Sequence, residues 1–458
     1  MTDPLAVTTS APKRRSRWGC LLSTLSGFAL VVLIIGVGYF AWYSNARGHL
    51  DAAIARVEAR GEPLWFRDLA PKAVDPDTDG SALYLRALTK MQAPSAAFSS
   101  AVFADPTKPP SEDPVVIAEL AKNREALDLL AEVMKKPNFR IPIDYDTNQP
   151  FRIVLDEVQS ARDLSRLLAG GVSIAVAAGQ RDQAVESIER MFDLSELLRN
   201  EPFTITQLVR LAISAVALNS LKQALPTLDL TPEQFVALDE RLARMHRDFT
   251  LAPAMLGERA STFTTLTHLY ENVDFLVSDP ADGLASSMRW YARGPLQPMR
   301  LEDQAFMLQI MSEVIDSIDK TGREGIDAMH DLEARVQNAP QSHVFTRLLI
   351  PALVNVHMAG LRHREKLMTA RLGIRVDRYF AEHGRLPTTL EEICDDRLPS
   401  LPNDVFTGKP HVYRTTATGF IIYSVGPNGI DDGGGQTPDM LEYHSGFEVS
   451  YPQKSESP

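Results

Sequence analysis

The feature that most constrains this chain is a run without a single charge, from Trp18 to Ala46, whose core reads CLLSTLSGFALVVLIIGVGYFAWY. A helix needs roughly 20 apolar residues to cross about 30 Å of hydrocarbon, and this run exceeds that. Lys13, Arg14, Arg15 and Arg17 precede it; Tyr39, Phe40, Trp42 and Tyr43 close its far end. Basic residues stay on the cytoplasmic side and aromatic rings collect at the interface, so the pattern predicts a single-pass anchor with its N-terminus inside. Residues 1–17 are then a cytoplasmic basic tail, 18–46 the transmembrane helix, and the bulk of the chain extracytoplasmic. A cleaved signal peptide fits less well, because its apolar region is usually about 7–15 residues. Arg17-Trp18-Gly19 ahead of Cys20 also departs from a lipoprotein signal. The expected location is the bacterial cytoplasmic (inner) membrane.

At 458 residues the chain has room for two or three domains, taking roughly 150 residues for each. Its 44% hydrophobic and 23% charged residues are ordinary for a globular protein. The net charge of -12 argues against nucleic acid as a partner, which calls for a basic face. Only Cys20 and Cys394 carry thiols, one of them inside the apolar run, so no intramolecular disulfide is expected.

Beyond the anchor the signals are helical. Leu50, Ile54 and Val57 recur at helical spacing until Gly61-Glu62-Pro63 stops them. A short helix is expected over Ala82–Met91, an irregular connection over Ala104–Pro114, and a helix over Pro114–Lys135. The densest helical region runs from Phe151 to Ile350. There AVAAGQRDQAVESIERMFDLSELLRN is faintly tetratricopeptide-like, with Ala178-Gly179 at the turn and Ala184, Ile188 and Leu194 on one face, but no second copy follows at that period. Val216 leads to Pro226 as a stop, and Thr231-Pro232-Glu233-Gln234 then supplies an N-cap, a first-turn proline and a capping-box glutamine. Ser278–Gly283 is expected to be an exposed loop. No HExxH, GxSxG, P-loop or dinucleotide motif occurs; His246-Arg247-Asp248 lacks the rest of a kinase set, and His357 and His363 are wrongly spaced for a helical metal pair. Glu186, Glu189 and Glu196 alternate with arginines, as on a solvated helix face.

The end of the chain is the most patterned part. A long helix from Val354 to His383 carries Leu361, Met368, Leu372, Val376, Tyr379 and Phe380, with Gly384 at the C-cap. Thr388 with Glu391 is a capping box for a short helix ending near Asp396. After Pro399 and Pro402, strands are expected over His411–Thr415 and Gly419–Val425, and Phe447, Val449 and Tyr451 alternate as a closing strand. Packing the helix on this hairpin buries both apolar faces. The acidic segment Asn428–Asp439 contains Gly429, Gly433, Gly434 and Gly435. Calcium takes six to eight oxygens, and a glycine-rich loop can turn several carbonyls toward one point, so Asp431 and Asp432 are candidate ligands there. An acidic hydrated turn has the same composition.

The order Gly384–Ile393, Asp404–Pro410, Tyr413 and Tyr423-Ser424-Val425-Gly426-Pro427-Asn428-Gly429 resembles the globular head of the major pseudopilins of type II secretion systems. The resemblance covers less than a fifth of the chain. It implies a helix-plus-sheet head and one calcium, with Asn428, where the family often has aspartate, and Asp439 at the matching ligand positions. Two departures stand against a filament subunit: the membrane helix lacks the family's glutamate, and residues 47–350 separate it from the head. The fold expected is therefore mainly α: a transmembrane helix, a bundle- or solenoid-like α-helical region over 47–350, a small pseudopilin-like α+β head over 351–452, and a disordered tail over 453–458. The expected function is a non-enzymatic, membrane-anchored scaffold or binding protein that engages envelope proteins. The alternatives are an accessory component of a type II secretion or type IV pilus-like system, and an enzyme with a site assembled from distant residues.

Overall fold

A computed structural model describes residues 17–103, 112–276, 283–431, 433 and 446–451. Among these the chain forms fifteen α-helices and one small sheet. The helices are α1 (Arg17–Ala59), α2 (Ser81–Lys90), α3 (Ala96–Phe103), α4 (Pro114–Lys122), α5 (Arg124–Val133), α6 (Asp156–Ala177), α7 (Arg181–Leu197) and α8 (Thr204–Leu228). They continue as α9 (Pro232–Arg247), α10 (Ala252–Thr267), α11 (Leu269–Leu276), α12 (Gly283–Arg293), α13 (Gln297–Ser317), α14 (Gly322–Gln337) and α15 (Val344–His383). Strands β1 (Val412–Thr415), β2 (Gly419–Tyr423) and β3 (Gly446–Ser450) pair antiparallel in that order. The chain is thus mainly helical with a small C-terminal antiparallel sheet.

The apolar run and the helix after it are one element. Over Leu25–Phe40 the side chains of α1 are exposed, and from Leu25 its hydropathy and length suffice to cross a membrane. Further along, Ala46, Leu50, Ala53 and Val57 are buried against α13. The two helices run in parallel. Near the apolar segment Trp42 Nε1 donates to Glu302 at 3.3 Å, and at the other end Arg60 donates to both oxygens of Asp316. Gly61, at φ +66°, turns the chain, and Glu62 is held by the fully buried Arg259 at 2.6 Å. Two further helices, α8 and α15, are long and apolar enough to cross a bilayer, but 67% and 57% of their apolar windows are buried within the body.

Helix α15 is the wall that both cores share. Its first half packs on α13 and α14, in a core of Leu308, Met311, Val314, Leu353 and Val356 to which α1 and α10 also contribute. Its second half joins α6–α9 and the sheet through Leu367, Leu372, Ile374 and Val376. Phe420 and Ile422 of β2 and Phe447 and Val449 of β3 form the inner face of the sheet, against α15 and α8. Alternation in β3 is complete, since Gly446, Glu448 and Ser450 face out. The core therefore passes without a break from the helices before residue 350 to the strands after it. Gly373 lets the Phe447 ring lie on α15, where a Cβ would stand 2.2 Å from the ring.

Several local expectations hold in detail. Gly179 (φ +70°) makes the turn between α6 and α7, and Gly384 (φ +67°) ends α15. The Thr231–Gln234 box makes both of its hydrogen bonds, at 3.0 and 3.2 Å. Others shift. Pro114–Lys135 is two helices, broken where buried Asn123 accepts from Gln92 N and donates to Glu119 O. Pro226 lies inside α8, which runs to Leu228 and ends on the left-handed Asp229. The turn after Gly384 is a 3-10 turn, Leu390–Ile393, and Glu392 rather than Glu391 reaches back to the Thr388 and Thr389 amides. The Ala104–Pro114 connection lies largely, and the Ser278–Gly283 loop almost wholly, outside the described residues.

A buried ion cluster joins α9 to α15. Asp239, fully buried, accepts four hydrogen bonds: from Arg371 at 3.0 and 3.2 Å and from Arg375 at 2.6 and 2.7 Å. The arginines are four residues apart, hence on one face of α15. Burial pushes the Asp239 carboxyl up, but the hydrogen bonds from Arg375 and Arg371 outweigh it and hold the group below the usual carboxylate range. Replacing Asp239 by alanine strands two buried cations, so Asp239→Ala is expected to cost about 3–5 kcal/mol, read as a fall in the denaturant midpoint of the full chain. Gly373→Ala, which collides with Phe447, is expected to cost about 1–3 kcal/mol in the same assay.

Candidate functional site

The acidic loop after β2 is only partly within the described residues: Asn428 and Asp431 are, Asp432 and Asp439 are not. Asp431 accepts from Tyr423 Oη at 2.7 Å and Gly433 N at 2.9 Å on one oxygen, and from Arg414 at 2.8 Å on the other. These partners, Tyr423 first, hold its carboxyl below the ordinary value. Asn428 Oδ1 accepts from Ile430 N at 3.1 Å. Asp431 is thus the partner of an arginine and a tyrosine, and Asn428 closes its own turn. Among the described residues no three His, Cys, Asp or Glu side chains converge as a metal group would.

Behind that loop the two patterned stretches of the head meet. Asp404 Oδ1 caps the Phe406 amide at 2.7 Å and its Oδ2 accepts from Ser424 Oγ at 2.8 Å; Ser424 Oγ in turn accepts from Gly426 N at 3.0 Å. Next to it Glu365 of α15, fully buried, takes the Val405 amide on one oxygen and His411 Nε2 at 2.8 Å on the other. His411 Nδ1 faces Pro402 O at 3.2 Å. A ring with acceptors at both nitrogens satisfies both only as imidazolium. Accordingly, burial pushes His411 down, but the Glu365 hydrogen bond and charge prevail and its pKa is raised. Ser424 bonds to Asp404 and not to His411, so serine, imidazole and carboxylate do not form a nucleophilic relay. Their work is to fix the Asn403–Pro410 loop on α15.

His357, His363 and His246 are also built into the packing. His357 Nδ1 lies 2.8 Å from Ile318 O, His363 packs on Phe249 at 5.0 Å between ring centres, and burial lowers both. His246, in the last turn of α9, is lowered to about 4 by burial, with the nearby Arg364 and Arg371 adding to it. Glu196 does more than sit on a solvated face: it meets the buried Arg210 at 2.7 Å across α7 and α8.

The concavity with the most mixed chemistry is a cleft of about 400 Å3 between α9, the last turns of α15 and the Leu390–Ile393 turn. Its walls include Phe235, Arg378, Tyr379, His383, Cys394 and Arg397. Arg378 lies over Phe235 at 5.7 Å and pairs with Glu382; Tyr379 stacks on His383 at 4.0 Å, and Arg385 covers Tyr379 at 5.2 Å. Glu392 is held down at about 2 by the Tyr379 hydroxyl first, then Arg385 and the Thr388 amide. Burial pushes the Cys394 thiol up, with Glu391 adding to it, which keeps it a thiol at neutral pH and a poor nucleophile. Stacked arginines and aromatic rings beside paired carboxylates suit recognition of a protein segment more than covalent chemistry. Nothing in the local sequence announces this cleft, because α9 lies far along the chain from the other two walls.

Burial raises the carboxyls of Glu201, Glu258 and Asp377. Glu201, fully buried, accepts from Ile141 N at 3.1 Å, while its second oxygen has no hydrogen-bond partner. Burial raises it from 4.5 to about 7. Its neighbours Asn200 and Pro202 line a recess of about 170 Å3 with Arg140 and Tyr145, but Glu201 itself does not. Comparison of the chain with protein-family models, curated proteins and solved structures found no match.

Because the folded value of Glu201 lies above the ordinary one, its contribution is fully present below pH 4.5 and is lost as pH rises through about 7. Glu201→Gln keeps the acceptor for Ile141 N and cannot ionise. The variant is expected to gain stability over the parent protein between pH 5 and pH 8, by about 3 kcal/mol at most, measured by denaturation at the two pH values.

Proposed function

We propose that this is a single-pass protein of the bacterial cytoplasmic membrane, N-terminus inside, whose body is a non-enzymatic binding scaffold for other envelope proteins. The observation that carries the reading is the unbroken passage of α1 from its exposed apolar segment into the α13 core, with α15 running the same way. Phe345 and Thr346 at the start of α15 bond to Asp303 of α13, and His357 meets Ile318. Both helices thus lead away from the apolar segment, and the 40 residues of α15 at 1.5 Å each make it about 60 Å long. The cleft beside Tyr379 and His383 sits at the far end of α15, where a second envelope protein would meet it.

A second reading, an accessory part of a secretion or pilus-like machine, is supported by the joining of the Asp404 and Ser424 stretches and by the helix-on-sheet packing of the head. Unchanged secretion and pilus assembly after deletion of the gene would remove it. For the binding reading, a photo-cross-linking residue replaces Arg378 in the full-length membrane protein, with Val154, exposed and away from the cleft, as control. We expect a discrete cross-linked envelope protein from the Arg378 position alone. Equal or absent cross-linking at both positions would sink the cleft as the contact surface.

A further inference from the structure

Large apolar side chains left in the open are scattered over most of the body, as on any protein. Four of them, Tyr270 (46% exposed), Trp290 (60%), Val344 (49%) and Leu348 (71%), instead belong to segments that gather at one level. That level is set by hydrogen bonds. Trp42, two residues or about 3 Å of helix beyond the exposed Phe40, donates to Glu302. The next residue, Asp303, accepts from the Tyr291 hydroxyl of α12 at 3.0 Å, from the Phe345 amide at 2.9 Å and from the Thr346 hydroxyl at 2.6 Å. Tyr291 also donates to Ser342 O at 3.3 Å. One buried carboxylate therefore ties α12, α13 and the first turn of α15 to the height of Trp42.

Trp290 adjoins Tyr291 in sequence, Val344 adjoins Phe345, and Leu348 follows Val344 by one helical turn. Tyr270 is tied to the same end of α12, because Arg293 lies over its ring at 4.3 Å. Tyrosine, tryptophan and arginine beside bare aliphatic side chains is the composition that settles at the boundary between headgroups and acyl chains. In α1 the same height carries Tyr39, Phe40, Trp42 and Tyr43.

We infer that the base of the body, formed by α11, α12 and the first turns of α15, rests in the headgroup layer of the bilayer that α1 spans, with Trp290 and Leu348 at the acyl boundary. The occupant of this apolar surface is lipid, since the surface continues the aromatic belt of the anchor. The inference rests on the membrane-spanning reading of α1 and adds a second contact to it. Its effect is to hold the body upright on one leaflet.

The test uses the full chain with Cys20 and Cys394 replaced by serine, reconstituted in vesicles of phosphatidylcholine and phosphatidylglycerol. A nitroxide is attached in turn to Trp290→Cys, Leu348→Cys, Leu33→Cys within the apolar segment, and Ile117→Cys, exposed on α4 of the body. Collision rates with oxygen and with a water-soluble nickel chelate report depth. We expect the oxygen-to-nickel ratio at Trp290→Cys and Leu348→Cys to exceed that at Ile117→Cys several-fold and to fall below that at Leu33→Cys. Ratios equal to Ile117→Cys at both base sites, with Leu33→Cys deep, would overturn the inference and leave the anchor intact. Shielding of the base sites from both reagents would assign the surface to a second protein and overturn it as well. A water-like ratio at Leu33→Cys would remove anchor and inference together.

Discussion

Helix α1, long and apolar enough to cross a membrane, continues into the body as one helix, so its backbone hydrogen bonds run on without a break. It carries its ladder from the exposed apolar segment to Ala59 and gives up its apolar stripe to α13 on the way. Everything else is arranged against that continuity. α13 lies parallel to α1, α15 starts on Asp303 of α13, and the sheet lies on the far half of α15. The clamp at the end of α1, Arg60 on Asp316 and Arg259 on Glu62, prevents the last turn from fraying where Gly61 reverses the chain.

Three buried carboxylates along this frame act as joints. Asp303 receives the amides at the start of α15, where a carboxylate also meets the positive end of the helix dipole. Glu365 holds the loop before β1 through Val405 and His411. Asp239 binds the two arginines near the tip, and Arg375 passes on to Asp395 and the Ile393 carbonyl. Buried ions of this kind contribute little net stability compared with apolar contacts, but they tolerate only one alignment of their partners. They define the register of α15 against its neighbours, which apolar packing alone would leave looser.

What the sequence made legible was local. The apolar run, the Thr231–Gln234 box, the Ala178-Gly179 turn and the alternation of Phe447 and Val449 each depend on residues within one turn or one strand. The features that set the architecture depend on pairs far apart: Asp239 with Arg375, Glu365 with His411, Asp303 with Phe345. No spacing rule connects them. The cleft was invisible for the same reason. Asn123 illustrates the converse, a polar residue that breaks an apparently continuous helix because its side chain replaces the backbone partner of Gln92. In the acidic loop, Arg414 of β1 pairs with Asp431, a contact that no local spacing announces.

On the membrane-spanning reading of α1 proposed above, the continuity of that helix from its apolar segment into the body has a kinetic consequence. A protein tethered by a slack linker samples a hemisphere, and its binding surface faces any one direction only part of the time. Here the cleft beside Tyr379 would be presented at one height and one inclination, and encounters with another anchored protein would become a search in the plane of the membrane alone. Confinement of that kind raises effective concentration without any added contact, so a surface of modest intrinsic affinity would suffice.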